Sequence, residues 1–250
     1  MPRYFIRLAY DGAPYHGWQE QPGGVPTVQS ALEDALSKLL RQPIRITGAG
    51  RTDAGVNASM MIAHFDSETI LPDIQQFPRR INAITGPSIA VYGIRQMHPE
   101  AHARFDATAR TYHYYASTRR SPFTRAFTWA APPRLDFDAM NHAASLIVGI
   151  RDFTSFSKLH TDVKTNICDV RSARWIPWDN GVMAFEITAD RFLRNMVRAV
   201  VGTLVDVGRG KLPPEAVAAI IDRRDRGAAG TSMPAHALFL HKVEYPYLIP

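Results

Sequence analysis

Residues 48–57 concentrate what a reactive loop needs. Gly48, Gly50 and Gly55 let the backbone turn tightly and come close to a ligand, while Arg51 and Asp53 bring one guanidinium and one carboxylate. A positive charge two positions away favours a charged carboxylate, which makes Asp53 the candidate nucleophile. Asp-Ala-Gly between two apolar runs is also ordinary turn chemistry, with the Asp accepting backbone N–H bonds and the Gly supplying positive φ. Spacing alone leaves both readings open.

Three further groupings could carry chemistry. Tyr112 stands with Tyr114 and Tyr115 in a strand-like run, where a phenol facing a cleft could handle a proton and one facing inward only packs. Arg191, Arg194 and Arg198 recur at helical spacing, which would set three guanidiniums side by side, with Gly202 one turn on leaving room for a phosphate or a carboxylate. The loop around Tyr15, His16, Trp18 and Gln19 is aromatic and polar; such loops stack on and bond to bases, and Trp18 equally suits a plug for a sheet end. His98 and His102 lie four apart without a third ligand nearby, so no metal is expected, and His102 with Arg104 reads as a basic RNA-facing segment. Lys158, His160 and Lys164 occupy a polar loop over 157–166 that reads as surface or as a polynucleotide-contacting flap. Cys168 reads as core.

The elements that would position these groups follow from periodicity. Residues 3–10 alternate as a strand. Thr27 caps a helix running to about Arg41, with Glu33 and Asp34 toward its start and Lys38 and Arg41 at its end, in keeping with the helix dipole. Strands follow at 44–47 and 60–65, a helix at 72–84 and a strand at 89–97. This is a β-α-β-β-α-β unit. The order repeats, without repeating residue identities, as a strand at 110–117, a helix at 138–147, a hairpin of 167–176 and 182–189 about Asp179-Asn180-Gly181, a long helix over 191–207, a shorter one after Pro213-Pro214, and a strand at 238–243. The expected architecture is α+β. It has two pseudo-repeated ferredoxin-like halves, residues 1–103 with the Asp loop and 104–250 with the Tyr strand and Arg helix. They form a mostly antiparallel mixed sheet with helices on one side and an active-site cleft.

Composition narrows the function classes. Lys plus Arg is 29 against 23 Asp plus Glu, a formal charge of +6 that suits a polyanionic partner, and the many arginines favour bidentate phosphate contacts. No secretory leader or membrane span is expected, and a lone cysteine fits a reducing cytoplasm. The phosphate-cradling G-x-x-x-x-G-K-[ST], the dinucleotide G-x-G-x-x-G and the hydrolase G-x-S-x-G are absent from the sequence.

The string Gly50-Arg51-Thr52-Asp53-Ala54-Gly55-Val56 resembles the active-site signature of the tRNA pseudouridine synthase A family, and the likeness extends along the chain. It takes in Tyr10-Asp11-Gly12 with Gly17-Trp18-Gln19, Thr27-Val28-Gln29, His102-Ala103-Arg104-Phe105 with Arg110 and Tyr112, Asp152-Phe153-Thr154-Ser155-Phe156, and Phe192 with Met196-Val197-Arg198 and Gly202. The resemblance implies a cytoplasmic homodimeric isomerase that needs no cofactor or metal and turns uridine into pseudouridine in the anticodon arm of tRNA, at family positions 38, 39 and 40. It implies Asp53 as the catalytic aspartate, Tyr112 as the stacking tyrosine and base, and Arg198 as the ion-pair partner of Asp53. Arg51 would hold the extruded nucleotide and Leu238 would pack on the uracil. Gln19, Asn57, His102, Arg104, Arg110, Phe192 and Arg194 complete the RNA-binding set. Two positions depart from the family: Asn57 stands where it usually has His, and Ala237 where it usually has Gly. The competing readings are a non-enzymatic RNA-binding protein built on a ferredoxin-like sheet and a hydrolase with paired carboxylates.

Overall fold

A computed structural model describes residues 1–158 and 165–250; His160 and Lys164 of the polar loop lie outside the described residues. The alternation at the start of the chain produces strand β1 (Arg3–Tyr10), in which Tyr4, Phe5, Ile6 and Leu8 are all 1% exposed or less. A strand buried on both faces needs cover on both. Tyr4 stacks on Phe65 at 5.6 Å on one side, and Phe5 meets the rings of Tyr245 and Tyr247 edge-on on the other. Helix α1 (Val28–Leu40) opens as expected on a Thr27 cap in a capping box with Ser30, and ends on Arg41 in the left-handed region. Strands β2 (Ile46–Gly48) and β3 (Asn57–Asp66), helix α2 (Phe77–Thr85) and strand β4 (Ile89–Met97) complete the first β-α-β-β-α-β series.

The later part of the chain contributes β5 (Ala109–Ser117), β6 (Trp129–Ala130), α3 (Phe137–Ser145), β7 (Gly149–Asp152), β8 (Ile167–Pro177), β9 (Val182–Ala189), α4 (Met196–Gly208), α5 (Ala216–Arg223) and β10 (Leu238–Glu244). The chain divides into two compact units, Met1–Thr108 with Leu240–Pro250, and Ala109–Phe239. In the first unit the strand order is β4-β1-β3-β10, with β2 also on β3; in the second it is β5-β9-β8-β7, with β6 beside β5. The β1–β3, β1–β4, β2–β3, β5–β9, β7–β8 and β8–β9 pairs are antiparallel and β5–β6 is parallel, so the protein is α+β with a mostly antiparallel mixed sheet, as the sequence predicts. The hairpin of β8 and β9 turns at Asn180 and Gly181, both at positive φ, which suits the twist of the flanking strands.

Two expected helices begin late. The periodicity at 72–84 holds only from Phe77, because Asp73 takes a left-handed conformation and Pro78 fits only the first turn. The helix expected over 191–207 starts at Met196. Asn195, at φ 67, breaks the backbone before it, and Asp190 accepts a bond from the Arg191 N–H outside any helix. Arg191 and Arg194 therefore precede the helix that carries Arg198, and the three guanidiniums do not line one helical face.

Gly202 does not leave room for a ligand either. A Cβ there would lie 1.8 Å from the carbonyl oxygen of Thr231, and one on Gly230 would lie 2.7 Å from the amide nitrogen of Thr203. The two glycines let residues 230–231 cross directly over α4. Thr203 secures the crossing by accepting the Gly230 N–H at 2.8 Å and donating to Ala199 O.

Both units also close exposed backbone with an asparagine amide. Asn82 on α2 donates to Val91 O and accepts from Val91 N; Asn141 on α3 does the same for Trp175. An amide supplies the donor and acceptor that a missing strand would have offered.

Two outcomes follow. Gly202→Ala should lose roughly 1–3 kcal/mol of stability or more, because backbone rather than a yielding side chain meets the new methyl; a urea midpoint equal to wild type would contradict the crossing. His64 is buried, its Nδ1 accepts from Ala103 N, and burial first, then His102 and Arg3, push its pKa down to about 4. A histidine lowered on folding stabilises above its unfolded pKa of ~6.5 and loses that contribution as pH falls toward 4. Denaturation midpoints measured between pH 7 and 4 should fall less steeply for His64→Gln than for wild type.

Candidate active site

The loop that carries Asp53 is fastened from one side by the turn that leaves β1. A Cβ on Gly12 would lie 2.2 Å from Val56 O, and one on Gly17, at φ +91, would lie 2.4 Å from Thr52 O and 3.1 Å from the Asp53 carbonyl carbon. Glycine at both positions is what allows two stretches of backbone to touch. Four bonds then hold the contact: Trp18 N to Thr52 O, Gly55 N to Tyr15 O, Gly12 N to Asn57 Oδ1 at 2.8 Å, and Tyr10 OH with Thr52 Oγ1 at 2.8 Å. Val56 N closes the turn onto Asp53 O, and Gly55 sits at φ 76. Asp53 is half-buried, Arg51 exposed. The loop thus has the turn chemistry of its bland reading, and that chemistry presents a partly exposed carboxylate.

Trp18 settles as a plug. It is 1% exposed, tilts against Tyr10 at 6.1 Å, and occupies the space a side chain at Gly48 would need. Its neighbour Gln19 is tied to α1 instead: Gln19 Nε2 donates to Gln29 Oε1, Gln29 Nε2 to Glu33 Oε1, and Glu33 Oε1 also accepts the Ile46 N–H. Glu33, expected as a dipole partner near the helix start, is a buried anchor between α1 and β2, with Arg45 on its other oxygen at 2.8 Å. Trp18, Gln19, Gly48, Gly50, Arg51 and Arg104 line a cleft of about 100 Å³. Gly50 differs from Gly48 there, since nothing lies within 4 Å of where its Cβ would be.

The remaining candidates of the first unit are placed plainly. Asn57 is 1% exposed and serves as the fastener for Gly12. His102 Nδ1 accepts the Arg104 and Phe105 N–H groups, and burial, then Arg3, lower its pKa, so it supplies a turn with an acceptor rather than the basic charge expected of it. Its ring underlies Phe105 at 4.2 Å, and Phe105 is 75% exposed with the Arg104 guanidinium beside it. That exposed aromatic–guanidinium pair was legible only as part of the His-Ala-Arg-Phe string.

In the second unit Tyr112 and Tyr114 alternate with His113 and Tyr115 along β5. Tyr114 is fully enclosed, its hydroxyl lacks a hydrogen-bond partner among the described residues, and burial pushes its pKa well above the ordinary range, opposed by Arg198. Tyr115 is on the other face, pushed up to about 12 by burial and bonded to His113, which meets Glu186 at 3.1 Å. Tyr112 keeps 9% exposure and sits edge-on to Phe192 at 5.1 Å. Phe192 belongs to the non-helical segment before Asn195, and Arg110 donates to Asp190 O at its start, so Arg110 holds this segment in place.

Arg198 is clipped to a strap that periodicity did not reveal. Its Nε donates to Met233 O while its own carbonyl accepts the Met233 N–H at 3.1 Å. Asn195 Nδ2 and Arg226 Nη2 both reach Ser232 Oγ, and Arg226 Nη1 reaches Gly230 O. Arg194 is exposed, and Leu238 is 5% exposed at the head of β10. Ala237, just before it, is fully buried in a short 3₁₀ turn. Cys168 is buried in β8, as expected. Among the described residues no group of three His, Cys, Asp or Glu could hold a metal ion, and no helix is long and apolar enough to cross a membrane.

Comparison with known proteins places the chain among named relatives. Residues 143–246 match a family described as tRNA pseudouridine synthase. The chain is 55% identical over 248 residues to tRNA pseudouridine synthase A of Bacteroides thetaiotaomicron, covering 98% of this chain and 91% of that one. It is 53% identical to the protein of that name from Parabacteroides distasonis, over 98% and 97% of the two chains, and 39% identical to the one from Neisseria meningitidis serogroup C, over 98% and 92%.

The glycines make the loop testable. Gly12→Ala and Gly17→Ala should each cost roughly 1–3 kcal/mol, whereas Gly50→Ala should stay within about 0.5 kcal/mol of wild type. Thermal melts of the three variants decide the matter; a Gly17→Ala protein as stable as Gly50→Ala would mean that the turn does not hold the loop.

Proposed function

The chain belongs to the tRNA pseudouridine synthase A family, and on that premise we propose that it acts on uridines of the tRNA anticodon arm with Asp53 as the nucleophile. It is an isomerase that converts uridine to pseudouridine in tRNA. The net reaction breaks the N1–C1′ glycosidic bond, joins C5 to C1′, removes the C5 proton and returns a proton to N1. No atom is gained or lost, so the chemistry asks for a carboxylate at the sugar, a base at C5 and a site that keeps the freed uracil.

The observation that carries Asp53 is the clamp on its loop. A carboxylate whose backbone is bonded just before it, at Thr52, and just after it, at Gly55, is pre-oriented, and a nucleophile or charge stabiliser at C1′ depends on such placement. The carboxylate serves the sugar whether it adds to C1′ or promotes loss of the adjacent sugar proton. The family resemblance assigns Tyr112 to stack on the uracil and take the C5 proton, and its partial exposure beside Phe192 is compatible with that role. Arg198, steadied by Met233, supplies the positive charge, and Leu238 an apolar contact to the base.

The uridine must leave its stack before any of this. Arg51 and Arg104, grouped with Gln19 around the cleft beside Gly50, are assigned to the RNA backbone and the vacated position. The family resemblance assigns Phe192 and Arg194 to RNA contact as well. The family resemblance supports a homodimer, and the buried lone Cys168 fits a reducing cytoplasm.

Asp53→Asn should bind unmodified tRNA with wild-type affinity and form no pseudouridine when the modified positions are mapped. Product from this variant would remove Asp53 from the mechanism. With wild-type protein, uridines left intact throughout would favour the binding-module reading, and release of free uracil would favour the hydrolase.

A further inference from the structure

The first unit carries a second, larger recess that shares no residue with the Asp53 loop or the cleft beside it. It lies between α2 and β4, has a volume of about 750 Å³, and is lined by Gln75, Arg79, Asn82, Tyr92, Arg95 and Pro250 among others. No Asp or Glu side chain lines it. Arg79 and Arg95 are exposed, and among the described residues neither forms an ion pair. Tyr92 is 57% exposed at the irregularity where β4 shifts register against β1, and the Arg7 guanidinium lies 5.9 Å from its ring centre. The Arg7 Nε is buried without a hydrogen-bond partner among the described residues.

An unpaired cluster of guanidiniums beside an exposed aromatic ring matches two things RNA offers, phosphates and base faces. The fold argues against a peptide strand as the occupant. Asn82 already fills both backbone positions of Val91 on the outer side of β4, so strand addition is blocked at the middle of that edge.

We propose that this recess is a second RNA-docking groove, which holds the phosphate backbone of the tRNA body outside the anticodon arm through Arg79 and Arg95, with a base or ribose against Tyr92. The proposal rests on tRNA being the substrate. Arg7 lies three residues before Tyr10, about 10 Å along β1 from the bond to the Asp53 loop, so the groove anchors the substrate away from the chemistry.

The test uses Arg79→Ala/Arg95→Ala, a charge-keeping Arg79→Lys/Arg95→Lys partner and wild type. Each is measured for binding across a salt series to full-length unmodified tRNA and to an anticodon stem-loop of the same sequence, and for pseudouridine formation on both RNAs. The alanine pair should bind full-length tRNA at least about tenfold more weakly near 0.1 M salt, with the log–log salt slope reduced by nearly 2, as expected for two lost phosphate contacts. Its binding and turnover of the stem-loop should match wild type, and the lysine pair should keep most of the affinity.

Unchanged affinity and slope for full-length tRNA would overturn the groove. Equal losses on both RNAs would also overturn it, by making these arginines part of the catalytic site or of folding. A changed oligomeric state in sedimentation, with tRNA binding intact, would reassign the surface to a contact between copies of the chain. If wild type itself forms no pseudouridine on either RNA, the reading of the active loop fails, and the salt series still reports separately on the groove.

Discussion

Backbone touching backbone, at Gly12 and Gly17, is the constraint on which the reactive loop depends. Side chains keep neighbouring segments several ångströms apart; removing two Cβ atoms lets the turn after β1 rest on residues 52–56. The bonds across this contact are short-range. Tyr10 reaches Thr52, Asn57 reaches Gly12, and main-chain N–H groups pair across the contact. The turn leaves β1, a strand buried in the core of its unit.

The second unit uses the same device for its cation. Gly202 and Gly230 let a strap cross α4, and the strap's Met233 grips Arg198 through both backbone and side chain. Buried polar groups such as Glu33, Gln29 and Thr203 find hydrogen-bond partners within their own units, which offsets the cost of burying each.

How much of this the sequence disclosed depended on how local the cause was. The Thr27 cap, the β8–β9 hairpin and the strand at Ile89–Met97 were readable because their signals lie within a few residues. The late starts of α2 and α4 were not. At both, apolar periodicity runs on past a left-handed residue, and only three-dimensional partners such as Asp190 reveal where the helix begins. Asp53 stood out as the lone carboxylate of a glycine-rich string, but the reason for those glycines did not. Gly48 yields to Trp18, Gly55 needs positive φ, and Gly50 answers to neither. The strap was hidden because its meaning lies in what it crosses. The role of Asn57 was hidden for the same reason: its partner is a backbone N–H 45 positions earlier.

Asn57 has one more implication. The bonds that Tyr10, Thr52, Asn57 and Gly12 make around the loop join neutral groups, whereas holding a polyanion relies on guanidiniums. Ionic strength therefore acts on the hold on the nucleic acid more than on the backbone of the loop. Asn57 is also an amide that no proton can switch, so neither salt nor mild acid reaches the bond that ties this loop to Gly12.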